Sequence, residues 1–200
     1  MMMKWSLGLA AFLGLLVSLV SYRFVFLGLE SAFEIMIEHA RDRRVLLLMH
    51  VSAAPVALAV GAFQFMPRIR RNHRALHRWL GRLYAVAILV GGIGAMGISL
   101  NAIGGLWAQV GFSALGIAWM GSTAIAIWMA MNKRFAEHRV WMLRSFALTF
   151  SAVTLRLQLV GYEISGLPYE QSSVWLAYTC WVPNLLVAEF LIRTRPRIAA

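Results

Sequence analysis

Residues 137–156 read EHRVWMLRSFALTFSAVTLR, and this stretch decides what kind of protein the chain is. It is apolar enough to enter a membrane, yet it carries Arg144 and Arg156 in or near the hydrocarbon. An arginine at mid-depth there costs roughly 2.5–3.5 kcal/mol on insertion scales, so a compensating interior is expected. At about 100° per residue, Ser145, Thr149, Ala152 and Arg156 form one stripe, and Arg144, Ser151, Leu155 and Gln158 form a second beside it. Leu143, Phe146, Phe150, Val153 and Leu157 hold the opposite side. Membrane helices pack on small and polar residues and give bulky apolar ones to lipid. The stretch therefore predicts one helix of a bundle with a polar interior.

The rest of the chain agrees with that reading. Hydrophobic residues make up 60% of the 200, with a mean hydropathy of +0.70, too apolar for an ordinary soluble domain. The expected fold is all-α, a polytopic bundle of six transmembrane helices forming a single domain over 1–200. Its spans lie at roughly 5–29, 45–66, 79–100, 108–131, 140–160 and 173–193. The first span reads as a retained anchor, because its apolar run outlasts the h-region of a signal peptide and has no clear cleavage site. The net charge of +11 would suggest nucleic acid in a soluble protein. Here the basic residues sit in short connections between apolar runs, which excludes that partner. Cys180 is the only cysteine, so there is no disulfide framework, no redox pair and no covalent haem attachment.

Arginine placement sets the expected orientation. The 67–78 connection carries Arg68, Arg70, Arg71, Arg74 and Arg78; the 132–139 connection carries Lys133, Arg134 and Arg139; the tail carries Arg193, Arg195 and Arg197. The 101–107 connection has no basic residue, and 161–172 has only Glu163 and Glu170 as charges. The positive-inside rule then puts both termini in the cytoplasm. Residues 30–44 stand apart, with Arg41, Arg43 and Arg44 on the outer side among Glu30, Glu34, Glu38 and Asp42. The four-residue spacing of the glutamates predicts a short surface helix. In the second span Pro55 predicts a kink, and in the third Gly91, Gly92, Gly94 and Gly97 predict close backbone contact.

Four segments, GAFQF (61–65), LHRWLGRLY (76–84), EHRVWMLRSFALTFSAVTLR (137–156) and WVPNLLVAEF (181–190), resemble a bacterial family of multi-pass membrane proteins described only as a domain of unknown function. The resemblance covers the second through sixth spans. It implies a bacterial integral membrane protein and supplies no reaction, ligand or partner. On the matching positions, His50, His77, His138, Arg144, Arg156, Asn184 and Glu189 resemble signature residues. His39 and Arg23 fall outside it.

The chemistry those residues can carry is of two kinds. Histidines on facing helices hold b-type haem, and clustered ones hold a transition metal. His73 and His77 are four apart, on one face if helical, and His138 belongs to the same membrane side, so His73, His77 and His138 are the candidate metal ligands. His50 lies near the outer boundary, most of a ~30 Å core away from them. The second kind is electrostatic. Arg82, Arg144 and Glu189 lie toward the inner side, where Glu189 can neutralise one arginine; Arg23, His50 and Arg156 lie toward the outer side. Arg156 is expected to face the interior and approach His50. With Asn184, these groups suit a quinone head, haem propionates or a lipid phosphate. The leading expectation is intramembrane ligand or cofactor binding in membrane redox or its assembly. A small permease, and a structural subunit or homo-oligomer, stay open beside it. No catalytic triad, phosphate-binding loop, dinucleotide fingerprint or zinc-protease motif is present.

Overall fold

The computed structural model of the protein describes residues 2–32 and 41–194, and every regular element among them is helical. In chain order these are α1 (Met2–Ser21), α2 (Phe24–Leu27), α3 (Leu29–Ala32), a 3₁₀ turn (Arg41–Arg43), α4 (Arg44–Gln64), α5 (Pro67–Asn72), α6 (Arg74–Ser99), α7 (Gly105–Met131), α8 (Phe135–Thr149), α9 (Ser151–Ile164), α10 (Tyr169–Thr179) and α11 (Val182–Thr194). Six segments are long and apolar enough to cross a bilayer: Gly8–Leu27, Arg44–Gln64, Arg74–Ser99, Gly105–Met131, Phe135–Ile164 and Tyr169–Thr194. The expected all-α, six-span architecture is present. The surface helix expected on Glu30, Glu34 and Glu38 falls mostly on 33–40, outside the described residues, as do His39, Arg195 and Arg197. Glu30 itself pairs with Arg44.

The spans differ from their sequence-derived bounds for local reasons. The third begins earlier, at Arg74, because the carbonyl of His73 accepts the His77 amide at 2.9 Å and starts the helix there. Much of the basic 67–78 connection is therefore helical. His73 sits between α5 and α6 with non-helical backbone angles, φ −128° and ψ 61°, so it does not share a regular helical face with His77. The fifth span is loosened at Phe150, where Ser151 Oγ donates to Leu148 O at 2.6 Å and Thr149 Oγ1 to Ser145 O at 2.9 Å. Side-chain hydroxyls competing for helical carbonyls bend a helix in this way. The sixth span breaks between α10 and α11 just ahead of Pro183, whose missing N–H leaves the carbonyl four residues back without its helical donor.

The chain forms two compact units, 1–94 and 95–200. In the first, α1 packs along α4. Ser18 Oγ donates to Pro55 O at 2.7 Å, and Tyr22 OH donates to Ser52 O at 2.6 Å, one turn ahead of the proline. Against α6, His50 Nδ1 meets Gly91 O at 2.9 Å. This approach depends on Gly94, where an added Cβ would lie 2.7 Å from the His50 backbone nitrogen. Leu47 and Leu58 of α4 and Tyr84 and Ile88 of α6 are among the most fully buried side chains.

In the second unit α7 and α8 form the most extensive helix pair. Three polar contacts run along it: His138 Nδ1 to Ala126 O at 2.8 Å, Thr123 Oγ1 with Ser145 Oγ at 2.7 Å, and Trp119 Nε1 to Thr149 Oγ1 at 2.8 Å. α10 packs on the other end of α7, where Tyr178 OH donates to Trp107 O at 2.9 Å. In both units hydroxyl side chains such as Ser18, Thr123, Ser145 and Ser173 are buried, while Phe12, Leu19, Leu89, Ile117 and Phe190 are exposed. Lipid tails are as apolar as leucine, so a membrane bundle gains most by keeping small polar residues inside and turning large apolar ones outward.

The α4–α6 seam generates a test. Gly94→Ala drives a methyl against backbone atoms that cannot rotate away, and overpacking of this kind costs about 1–3 kcal/mol. Thermal unfolding in detergent should show a clear fall in midpoint for Gly94→Ala. Gly121→Ala, whose Cβ meets nothing within 4 Å, should show no fall.

Candidate functional site

A polar cluster lies where the fifth and sixth spans meet. Arg144 is nine residues past the start of α8, about 13–14 Å along the helix at 1.5 Å per residue, within the fifth span. Its guanidinium forks onto Glu189 of α11, with Nε to Oε1 at 2.5 Å and Nη2 to Oε2 at 3.1 Å. The same guanidinium lies over the Trp141 ring, 4.4 Å from its centroid. The arginine and glutamate side chains keep 23% and 29% of their surface exposed, so the pair lines an edge of its unit.

Two further contacts continue the seam. Asn184 Nδ2 donates to Thr154 Oγ1 at 2.9 Å and to Cys180 O at 3.1 Å. Farther on, Gln158 Nε2 donates to Thr179 O at 3.3 Å. Thr179 is the residue four before Pro183, so Gln158 supplies the donor that the proline removes. Across the seam stand a charge pair, an amide–hydroxyl pair and a repaired carbonyl. Each meets the requirement that backbone and polar groups in hydrocarbon be satisfied within the protein.

The histidines occupy other places. His138 starts the α7–α8 seam, and His50 the α4–α6 seam. A carbonyl only accepts, so in each ring Nδ1 carries the proton, and in the neutral ring Nε2 is the nitrogen with the lone pair. His73 is exposed, and His77 is half-buried beside Gln64, whose Nε2 lies 3.4 Å from His77 O. Among the described residues there is no group of three or more His, Cys, Asp or Glu side chains arranged to hold a metal ion. Arg156 is half-buried, with Nη1 donating to Ala152 O at 3.0 Å on its own helix. Arg156 belongs to one unit and His50 to the other.

The structure thus brings Arg144 to Glu189 and sets Asn184 one level along the same seam. Sequence reasoning named those residues and missed Trp141 and Thr154. Trp141 lies three residues before Arg144, one helical turn away, and that spacing was the available signal. Thr154 sits about 80° from Arg144 on a regular wheel, and the loosened turn at Phe150 separates the two halves of the span that the wheel treats as one.

No curated protein and no solved structure matches the chain. The family model described as "Predicted membrane protein (DUF2306)" matches residues 47–192. That range runs from the second span into the sixth and contains the α4–α6, α7–α8 and fifth-to-sixth-span seams and all four segments that carry the resemblance, and the chain belongs to this family of membrane proteins.

Proposed function

We propose that the chain is a multi-pass protein of a bacterial inner membrane that binds a small lipid-soluble ligand with a carbonyl or anionic head, of the quinone class. Its role lies in membrane redox chemistry or its assembly. The observation that carries this reading is the partly exposed Arg144–Glu189 pair beside Trp141. Glu189 takes two of the five N–H donors of the guanidinium. Charges at this depth are kept where they face a partner, a cavity or a substrate path. A carbonyl oxygen meeting a remaining donor, with its ring against the indole, satisfies the exposed edge of the pair. Asn184 extends the polar surface along the seam.

A second reading, b-type haem, is favoured by His138, whose Nδ1 is held by a backbone carbonyl, the arrangement that orients a metal-ligating imidazole. Haem there would supply one-electron chemistry, with Nε2 as the protein ligand.

The full chain purified in mild detergent distinguishes these. The expected result is no Soret band and a quinone recovered on solvent extraction. A Soret band with reducible α/β peaks that His138→Ala removes would favour haem. A colourless sample without quinone that moves solute in liposomes would favour a permease. A charge-assisted hydrogen bond contributes about 1.5–3 kcal/mol, so Arg144→Lys should weaken quinone-analogue binding roughly ten- to a hundredfold, because an ammonium cannot reproduce the fork. For stability, Arg144→Gln should be worse than Arg144→Gln combined with Glu189→Gln, since the single change strands a carboxylate in the membrane.

The orientation, with both termini and the 67–78 and 132–139 connections in the cytoplasm, rests on arginine asymmetry. In intact cells Ser165→Cys should react with an impermeant thiol reagent, and Arg71→Cys should react only after permeabilisation. The reverse pattern inverts the topology.

A further inference from the structure

We infer that the basic end of the second and third spans is a binding surface for anionic phospholipid headgroups, separate from the seam at Arg144. Arg68, Arg70, Arg71, Arg74, Arg78 and Arg82 are all exposed along α5 and the start of α6. Arg74, Arg78 and Arg82 repeat every four residues on α6, and so form one stripe. Beside that stripe Leu76, Trp79 and Leu83 make an exposed apolar face, Trp79 being 68% exposed. The Arg82 guanidinium lies 5.6 Å from the Trp79 ring centroid. A row of cations flanked by a row of apolar side chains with a tryptophan between them matches the boundary between headgroups and acyl chains.

The charge pattern around this surface favours an anionic partner. No Asp or Glu occurs between Asp42 and Glu137. In this unit the described carboxylates are Glu30 and Asp42, both ahead of α4, while the arginines follow its other end. The 21 residues of α4 separate them by about 30 Å, roughly three Debye lengths at 0.1 M salt. In the other unit the described carboxylates are Glu137, Glu163, Glu170 and Glu189, of which Glu137 is held by Arg134 and Glu189 by Arg144. Moreover, α6 has no acidic residue in its first turn, where the helix dipole favours one, and has arginine there instead. Phosphodiester headgroups supply the missing negative charge at the depth that Trp79 marks. Each basic residue close to an anionic surface contributes roughly fivefold in affinity.

Native mass spectrometry of the full chain in mild detergent, titrated separately with phosphatidylglycerol and phosphatidylcholine, tests this. Wild type should retain phosphatidylglycerol at least ~tenfold better. Arg74→Gln, Arg78→Gln and Arg82→Gln together should bring the two lipids near parity. Lys133→Gln with Arg193→Gln, which removes basic charge elsewhere, should leave the preference intact. A wild type without preference overturns the inference, and so does an equal loss in the control, which would make net charge the cause. Should the triple variant fail to fold, added salt must erode the wild-type preference; a salt-independent preference refutes the surface. Millimolar inorganic phosphate should leave the lipid bound, and displacement by it would make the ligand a free ion. Tighter binding of an RNA oligonucleotide that expels the lipid would overturn the inference in favour of nucleic acid.

Discussion

The interaction on which the second unit depends is the fork between Arg144 and Glu189. Neither group could stay in the membrane alone. An isolated charge there must snorkel, neutralise or recruit water, and Arg144 is held instead by Glu189. Pairing the two ties α8 to α11, residues 45 positions apart in sequence, and sets the register of the antiparallel contact. Once that register is fixed, Asn184 falls opposite Thr154 and Gln158 opposite Thr179. The same helix must also present its other polar stripe to α7, where Ser145 and Thr149 meet Thr123 and Trp119. The fifth span is thus held on two sides by polar contacts and has only its phenylalanine and leucine side left for apolar surroundings.

Such contacts are individually modest. Interhelical hydrogen bonds within bilayers average about 0.6 kcal/mol, because the separated helices also find partners for their polar groups. Their effect on which packing forms is larger than their effect on stability, since a one-residue slip would leave several hydroxyls and a carboxylate unsatisfied at once. Small residues act alongside them: Ser145 and Ser173 are fully buried, as few larger polar side chains could be, and they let backbones approach while satisfying themselves on a nearby carbonyl or hydroxyl.

How much of this could be read beforehand varies with the physics of each residue. The polar stripes of 137–158 were legible because helical periodicity maps a sequence onto faces, and a deep carboxylate such as Glu189 has few fates other than an arginine. The choice of Arg144 over Arg82 was not legible, because it depends on which helices touch. Thr154 was hidden by the loosening at Phe150. Trp119 could be read as a belt or a packing residue, and its 2.8 Å bond to Thr149 makes it packing. The pairing of His73 with His77 on one face assumed an unbroken helix, whereas His73 lies between two. In the histidines the sequence carries the ring but not its partner: that Nδ1 of His50 is committed to Gly91 O follows from Gly91 and Gly94 letting α6 approach α4.

The two prolines within the spans show how the constraints combine. A proline in a membrane helix opens backbone carbonyls that no water reaches, and the bundle tolerates it only where a neighbour supplies a donor. At Pro183 the donor is Gln158 from the preceding span; one turn ahead of Pro55, Tyr22 from the first span donates to the Ser52 carbonyl. Gln158 is therefore committed to backbone repair, Tyr22 to a contact between the first two spans, and Ser145, Thr149 and Thr154 to helix contacts. With such residues set aside, the edge of the Arg144–Glu189 pair beside Trp141 keeps guanidinium donors that Glu189 does not take. Those donors are the physical reason a ligand is sought there.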